Sequence, residues 1–527
     1  MQDLLNRAHV NTENGIQTSA ARQSLVCAAT LPVSGNRNSI GRTTVVRAQF
    51  GHPSGSYFRE RKNMLLQRSP EPDLTTVDGD GLPPGARQWA IVSLAIGVGM
   101  ASLDTAIANT ALPAIANQLQ ATPAASVWII NAYQLAMVAT LLPFAALGET
   151  IGYRRVCVAG LALFTLASLF CALAWSLPSL VVARLIQGVG ASAVMSVNTA
   201  MLRAIYPSRL QGRAFGINAL VVAVAFALGP TAASLILAVA SWPWLFAINV
   251  PLGIFAFFLG RRVLPTTKRA SHQVDALTAI YNVGAFGLLI LALGDAAHQA
   301  SMTTLLPEIG GAVLCFALLL HRQATHEAPM LPVDLLRRPM FALAVLTAVC
   351  TFSAQSLAFV SLPFYFETTL GRSPIDTGFL MTPWAVLVAV MAPIAGRLSD
   401  RYSAGVLGGI GLAALSVGLI TLLLMPDSPS AWDISWRMGL CGIGFGFFQA
   451  PNLKAFMLSA PPERGGGASG MVATSRLIGQ ATGAALVAYC FTLSSERGTR
   501  YSLGVAASFA AVASIASFFR MVVVRRK

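Results

Sequence analysis

Two residues of opposite charge stand deep inside apolar runs, and a third charge stands alone. Asp104 lies in "GMASLDTAIANTALPAIA" (99–116), Arg184 in "LVVARLIQGVGAS" (180–192) and Arg476 in "ASGMVATSRLIGQATG" (468–483). A charged side chain at the centre of a bilayer costs about 2.5–3.5 kcal/mol on insertion scales. Each of the three therefore needs a partner or a task. The chemistry that suits Asp104 is proton exchange, because a carboxylate whose partner comes and goes can take up and release a proton. Gly97, Ala101, Ala108 and Ala111 lie on the Asp104 side of its run. That small-residue face suits helix packing or a cavity rather than lipid. Gln480 follows Arg476 by about one helical turn.

Little else points to bond-making chemistry. No two of the seven cysteines are spaced as a metal or redox pair, and no phosphate-binding loop pattern occurs. No metal and no cofactor is expected, and the chain is not expected to be an enzyme.

The elements that position these charges are apolar blocks. Of the 527 residues, 55% are hydrophobic and 11% charged, against about 25% charged in soluble domains. The blocks are about twenty residues long, enough to span the hydrocarbon core as a helix. The sequence therefore predicts an all-α, multi-pass membrane protein with fourteen spans, near 90–112, 125–147, 156–175, 179–202, 214–238, 244–263, 277–295, 305–321, 341–366, 377–396, 405–425, 434–457, 469–492 and 502–523. Breaks after odd-numbered spans hold only Arg372, Arg497 and Arg500. Breaks after even-numbered spans carry Arg154 and Arg155, Arg337 and Arg338, and eleven further basic residues. The positive-inside rule then places both termini in the cytoplasm, with the protein in the cytoplasmic (inner) membrane. The net charge of +15 is read as orientation, not as nucleic-acid binding. On this topology Asp104 and Arg184 lie about 20 and 23 Å from the cytoplasmic edge, level enough to pair.

Residues 1–88 are polar and lack a signal-peptide core. They read as a disordered cytoplasmic lead-in. Either the tail is real or translation starts at Met64, and both alternatives stay open.

The spans repeat. Gly188, Gly190 and Asn198 recur 254 residues later as Gly442, Gly444 and Asn452, as do Gly216 (Gly470) and Gly229 (Gly483). Ala145 and Glu149 recur 251 residues later as Gly396 and Asp400. The expected organisation is a six-helix half at 89–263, two inserted helices with linkers at 264–338, and a second six-helix half at 339–527. Two facing halves make a transporter architecture.

Several motifs, in order, resemble the major facilitator superfamily, specifically its fourteen-span drug:proton antiporter branch. They are "LDTAIANTALPAIA" (103–116), "ALGETIGYRR" (146–155), the Arg184 stretch, "ALGPTAAS" (227–234) and "SWPWLFAINVPLG" (241–253). The second loop motif, "GRLSDRY" (396–402), keeps the glycine and aspartate that the first replaces with Ala145 and Glu149. Ala233 and Ser234 stand where the span-5 motif has paired glycines. The resemblance implies alternating access and proton-driven export of hydrophobic, cationic drugs or toxic compounds. It implies that Asp104 and Arg184 line the central cavity and couple protons. Glu149, Gly152, Arg154, Asp400 and Arg401 would form a conformational latch, and Gly229 and Pro230 a kinked seal in span 5. Asn198, Gln355, Trp384, Phe448, Asn452 and Arg476 are the candidate substrate-cavity residues. The expected partners are a small-molecule substrate, protons and the lipid bilayer. The rivals are export of a single metabolite, or a membrane sensor or scaffold that transports nothing.

Overall fold

A computed structural model describes residues 81–527, except 268–274, 298–300, 324–332, 400, 461–464, 495 and 526–527. Met64 and the rest of residues 1–80, and the latch residue Asp400, lie outside the described residues.

Among the described residues there are fourteen long helices. They are α1 (Pro84–Gln118), α2 (Trp128–Ile151), α3 (Tyr153–Ala172), α4 (Leu177–Ile205), α5 (Gln211–Val239), α6 (Asn249–Val263), α7 (Ala276–Ala297), α8 (Met302–Gln323), α9 (Pro339–Phe364), α10 (Pro374–Leu398), α11 (Ala404–Leu423), α12 (Ala431–Ser459), α13 (Gly465–Leu493) and α14 (Gly498–Arg525). Among the described residues, twelve helical segments are long and apolar enough to cross a membrane. The two long helices outside that set are α12 and α13. Gln449, Asn452 and Lys454 interrupt α12, and Arg476 and Gln480 interrupt α13.

Local sequence explains many helix ends. Serines begin α4, α10, α11 and α12: the side chains of Ser176, Ser373, Ser403 and Ser430 each accept a bond from the backbone N–H three residues on. Such caps satisfy amides that the first turn leaves unpaired. Between α2 and α3 there is only Gly152, at φ 102°. A side chain is disfavoured in that left-handed backbone region, so glycine permits the abrupt reversal.

The first six and last six helices make matching pairwise contacts. α1 packs on α5 and α6, α2 on α4, and α3 on α4 and α6. Likewise α9 packs on α13 and α14, α10 on α12, and α11 on α12 and α14. The repeated glycines occupy matching contacts. A Cβ on Gly188 would lie 2.4 Å from the Tyr133 carbonyl oxygen, and one on Gly442 the same 2.4 Å from that of Trp384. A Cβ on Gly190 would lie 2.5 Å from the Phe164 amide nitrogen, and one on Gly444 2.4 Å from that of Leu415. Glycine is needed at all four positions because backbones, not flexible side chains, stand in the way.

The two sets meet where α1 passes α9, and along two seams, where α5 packs on α10 and where α2 packs on α13. These seams differ. At the first, the helices touch directly: the Thr231 and Thr382 hydroxyls are 2.9 Å apart, and the Ser234 hydroxyl lies 2.9 Å from the Pro374 carbonyl oxygen. At the second, α2 and α13 also touch, α7 packs across both of them, and the Asn282 amide donates to the Ala139 carbonyl of α2 at 2.9 Å.

Candidate transport site

The buried polar centre of the first six helices is built from five of them. Asp104 (α1) and Arg184 (α4) form an ion pair, each side chain 1% exposed. Gln187, one turn beyond Arg184, accepts from its guanidinium at 2.6 Å and donates to Asp104 Oδ1 at 2.9 Å. Asn249 at the start of α6 donates to the same oxygen at 3.0 Å. Ser168 of α3 lies 2.9 Å from the Gln187 amide, and Arg184 Nε donates to the Ile129 carbonyl of α2 at 3.1 Å. The guanidinium also lies under the Tyr133 ring, 4.2 Å from its centroid. A buried pair is tolerable when hydrogen bonds satisfy its remaining lone pairs and protons. That is how the insertion cost of Asp104 is offset here.

The pair does not line the central cavity, as the resemblance had implied. The cavity between the two helix sets is lined by Ala101, Ser102 and Thr105 of α1, Tyr133, Gln134 and Met137 of α2, Met195 of α4, Val222 and Phe226 of α5, and Arg476, Leu477 and Gln480 of α13. Tyr133 is the partition: it belongs to the cavity wall and covers Arg184 from behind. Asp104 points from α1 into the helix core, while its neighbour Thr105 faces the cavity. Small residues let the helices close around the carboxylate.

Arg476 is the one expected cavity residue found in this lining. Its Nε has no hydrogen-bond partner, and neither has Gln134 Oε1. The others lie elsewhere. Asn198 donates to Asn218 of α5 at 3.0 Å, tying α4 to α5. Gln355 is buried on α9. Trp384 is fully buried, edge-on to Phe359 with centroids 5.0 Å apart. Phe448 packs edge-on to Phe352 and Phe445, with centroids 6.3 and 6.0 Å away. Asn452 accepts from Arg520 at 2.7 Å. T-shaped packing of this kind holds a helix core together. The cavity residues that sequence reasoning passed over include Ser102, Thr105, Tyr133, Gln134 and the apolar Met137, Met195, Val222 and Phe226.

The expected cationic substrate fits this lining poorly. The only formal charge among the lining residues is the Arg476 guanidinium, and Asp104 is already bonded to Arg184, Gln187 and Asn249.

The span-5 motif makes two close approaches. A Cβ on Gly229 would lie 2.2 Å from the Ala106 Cβ of α1, two residues past Asp104. The Pro230 carbonyl faces α10: a Cβ on Gly378 would lie 2.5 Å from its oxygen. Ser234, which replaces a motif glycine, bonds to the Pro230 and Pro374 carbonyls at 3.0 and 2.9 Å. Of the expected latch, Gly152 makes the α2–α3 turn, and the Arg154 guanidinium reaches the Arg261 carbonyl at the end of α6, within the same helix set. Arg401 caps α10 through its amide, which donates to the Leu398 carbonyl at 3.0 Å. Glu149 sits in the last turn of α2.

Residues 94–484 match the family described as the Major Facilitator Superfamily. The chain belongs to that superfamily. Its members are transporters, so this is a multi-pass membrane transporter. It is 52% identical over 447 residues to an uncharacterised transporter, YebQ, of Escherichia coli K12, covering 84% of this chain and 98% of that one. A riboflavin transporter, RibZ, of Clostridioides difficile is 29% identical over 77% of this chain and 89% of its own length. The multidrug resistance protein Stp of Mycobacterium tuberculosis is 30% identical over 75% of this chain and 74% of its own. The superfamily fold is also seen in a bacterial homologue of the human lysosomal transporter Spinster, crystallised inward-facing and unoccupied. The TM-score is 0.60 at 14% identity, covering 83% of this chain and 97% of that one.

Proposed function

We propose that the protein is a fourteen-span, proton-coupled exporter of hydrophobic small molecules in the cytoplasmic membrane, working by alternating access. The observation that carries this reading is the placement of the Asp104–Arg184 pair, one tyrosine ring away from a cavity between two pseudo-symmetric helix sets. A pair so placed can respond to what occupies the cavity. When Tyr133 shifts, the Arg184 contact weakens and Asp104 becomes available to a proton. When the pair re-forms, the proton leaves. The contact of Thr231 and Ser234 with α10 is the closed end of the rocking motion, and the positive-inside rule assigns that end to the outside. The drug-resistance relative supports export of toxic compounds.

The riboflavin transporter among the relatives favours a second reading, in which the same fold serves one physiological substrate. A panel of antibiotics and dyes tested on a susceptible host carrying the gene separates broad from narrow. Coupling is tested in proteoliposomes with an imposed pH gradient, using compounds from the panel. Asp104→Asn is expected to insert normally and to lose uphill transport while still permitting downhill exchange. Uphill export by Asp104→Asn at the parent rate would place the coupling site elsewhere.

A further inference from the structure

We infer that the cavity accepts amphipathic organic anions: one acidic group on Arg476 and an apolar body against Met137, Met195, Val222 and Phe226. The inference rests on the transport reading only in taking this cavity as the substrate path. Four observations carry it.

The lining has one formal charge, that of Arg476, and no carboxylate stands among the lining residues. Arg476 Nε has no hydrogen-bond partner, so the guanidinium holds a free donor at the wall. A guanidinium is always charged and presents a planar fork that matches carboxylate, sulfonate or phosphate oxygens. Asp104 is unavailable as a counter-ion, because Arg184, Gln187 and Asn249 already bind it behind Tyr133.

The other polar groups of the wall do not replace an anion. The Ser102 and Thr105 hydroxyls donate to the Val98 and Ala101 carbonyls of their own helix at 2.9 and 3.0 Å. The amide of Gln480, one turn from Arg476, lies on the same wall. Across the pseudo-repeat, the residue 254 positions before Arg476 is Val222, which lines the same cavity. The two equivalent sites thus face the cavity as one cation and one hydrocarbon, giving an amphipathic ligand opposed surfaces for its two ends. The open space within the wall is about 40 Å³ for water-sized spheres, room for a few waters. A larger molecule enters when the helix sets part.

The test uses the purified full-length protein and three ligands that share one ring and differ in charge: naphthalene-1-sulfonate, 1-naphthalenemethanol and 1-naphthylmethylammonium. Binding is measured by equilibrium dialysis in detergent, and transport in proteoliposomes. The sulfonate is expected to bind at least tenfold more tightly than the ammonium. Arg476→Gln is expected to abolish that preference, and Arg476→Lys to keep most of it. Equal binding of the three ligands, a preference for the ammonium, or a sulfonate preference unchanged in Arg476→Gln overturns the inference. If Arg476→Gln does not insert, the ligand series on the parent and on Arg476→Lys decides alone. A sulfonate preference without pH-driven transport leaves the anion site standing and sinks the exporter reading. Transport of the ammonium but not the sulfonate does the reverse.

Discussion

The Arg184 guanidinium sits over the Tyr133 ring, 4.2 Å from Cζ to centroid, and the ring's hydroxyl reaches the Ala101 carbonyl at 3.4 Å. One aromatic side chain therefore separates the water-sized space of the cavity from the ion pair. Cation–π contact of a desolvated guanidinium is worth about 2 kcal/mol, enough to hold the ring in place and small enough to be given up in a conformational change.

If that ring is the partition, removing it exposes what lies behind. Cys171 is fully buried and points its thiol at Gln187 of the ionic cluster, 3.4 Å away. With the other cysteines replaced, Cys171 is expected to resist N-ethylmaleimide in the parent and to be labelled in Tyr133→Ala. Tyr133→Phe should stay protected. Equal labelling of Tyr133→Ala and parent would show that the pair is shielded by something else.

The ion pair can be tested against its own repeat. The position 254 residues after Arg184 is Met438 and that after Gln187 is Cys441, both fully buried. The second helix set thus fills the same place with apolar atoms. Breaking a buried pair from one side costs about 3–5 kcal/mol, whereas replacing both charges by packed apolar groups is close to neutral. Arg184→Met alone should lower thermal stability in detergent sharply. Adding Asp104→Asn should recover most of the loss, without recovering pH-driven transport. Additive losses in the double variant would mean that the two charges are stabilised independently.

The α5–α10 seam can be locked. Thr231 and Thr382 face each other across it at 2.9 Å. Cysteines at both positions, in a background without the native ones, should cross-link on mild oxidation and stop transport, and a reductant should restore it. Gly229→Ala, whose new methyl would collide with Ala106, should lower the cross-linking yield. Free transport in the cross-linked protein would show that this seam does not open.

Outside the membrane-spanning helices, Asp275 clamps the inserted pair. It accepts from Arg322 Nε at 2.5 Å, from the Leu277 amide at 3.2 Å and from the Thr278 hydroxyl at 2.7 Å. The Arg322 bond, chiefly, holds its carboxyl well below the usual carboxylate range. A depressed folded value gives stability that is fully present above the unfolded value and fades as pH falls towards the folded one. Asp275→Asn should therefore lower the melting temperature by the same amount at pH 7 and pH 5, and the difference should narrow only below about pH 4. A difference that shrinks between pH 7 and pH 5 would mean that another group carries the effect.

The sequence made some of this readable and hid the rest. Similar depth, together with the resemblance that brings spans 1 and 4 to one place, paired Asp104 with Arg184. Gln187 also carried a signal, lying three residues from Arg184 and so on its face. The cavity wall was not readable. On α9, every residue from Cys350 to Phe364 is buried, so no polar stripe distinguishes a cavity side from a packing side. Trp384 of α10 and Phe448 of α12 likewise looked like pocket walls and are core. Tyr133 was hidden for the opposite reason: its importance comes from a ring stacked on an arginine 51 residues away in sequence, which no periodicity records. The number of long helices was legible; of the fourteen described, twelve are apolar enough to cross a membrane, and α12 and α13 are more polar.

The helix α7 gives the two seams different mechanics. Where α5 meets α10, two surfaces touch and can part. Where α2 meets α13, the two helices touch and a third, α7, packs across both, with the Asn282 bond fastening it to the α2 side. On the alternating-access reading, a rotation of the helix sets carries α7 along with α2 and slides it over α13, like a bearing strip fixed to one plate. Wear on such a bearing falls on the α7–α13 face, so substitutions there should alter the speed of the cycle more than the affinity for what is carried.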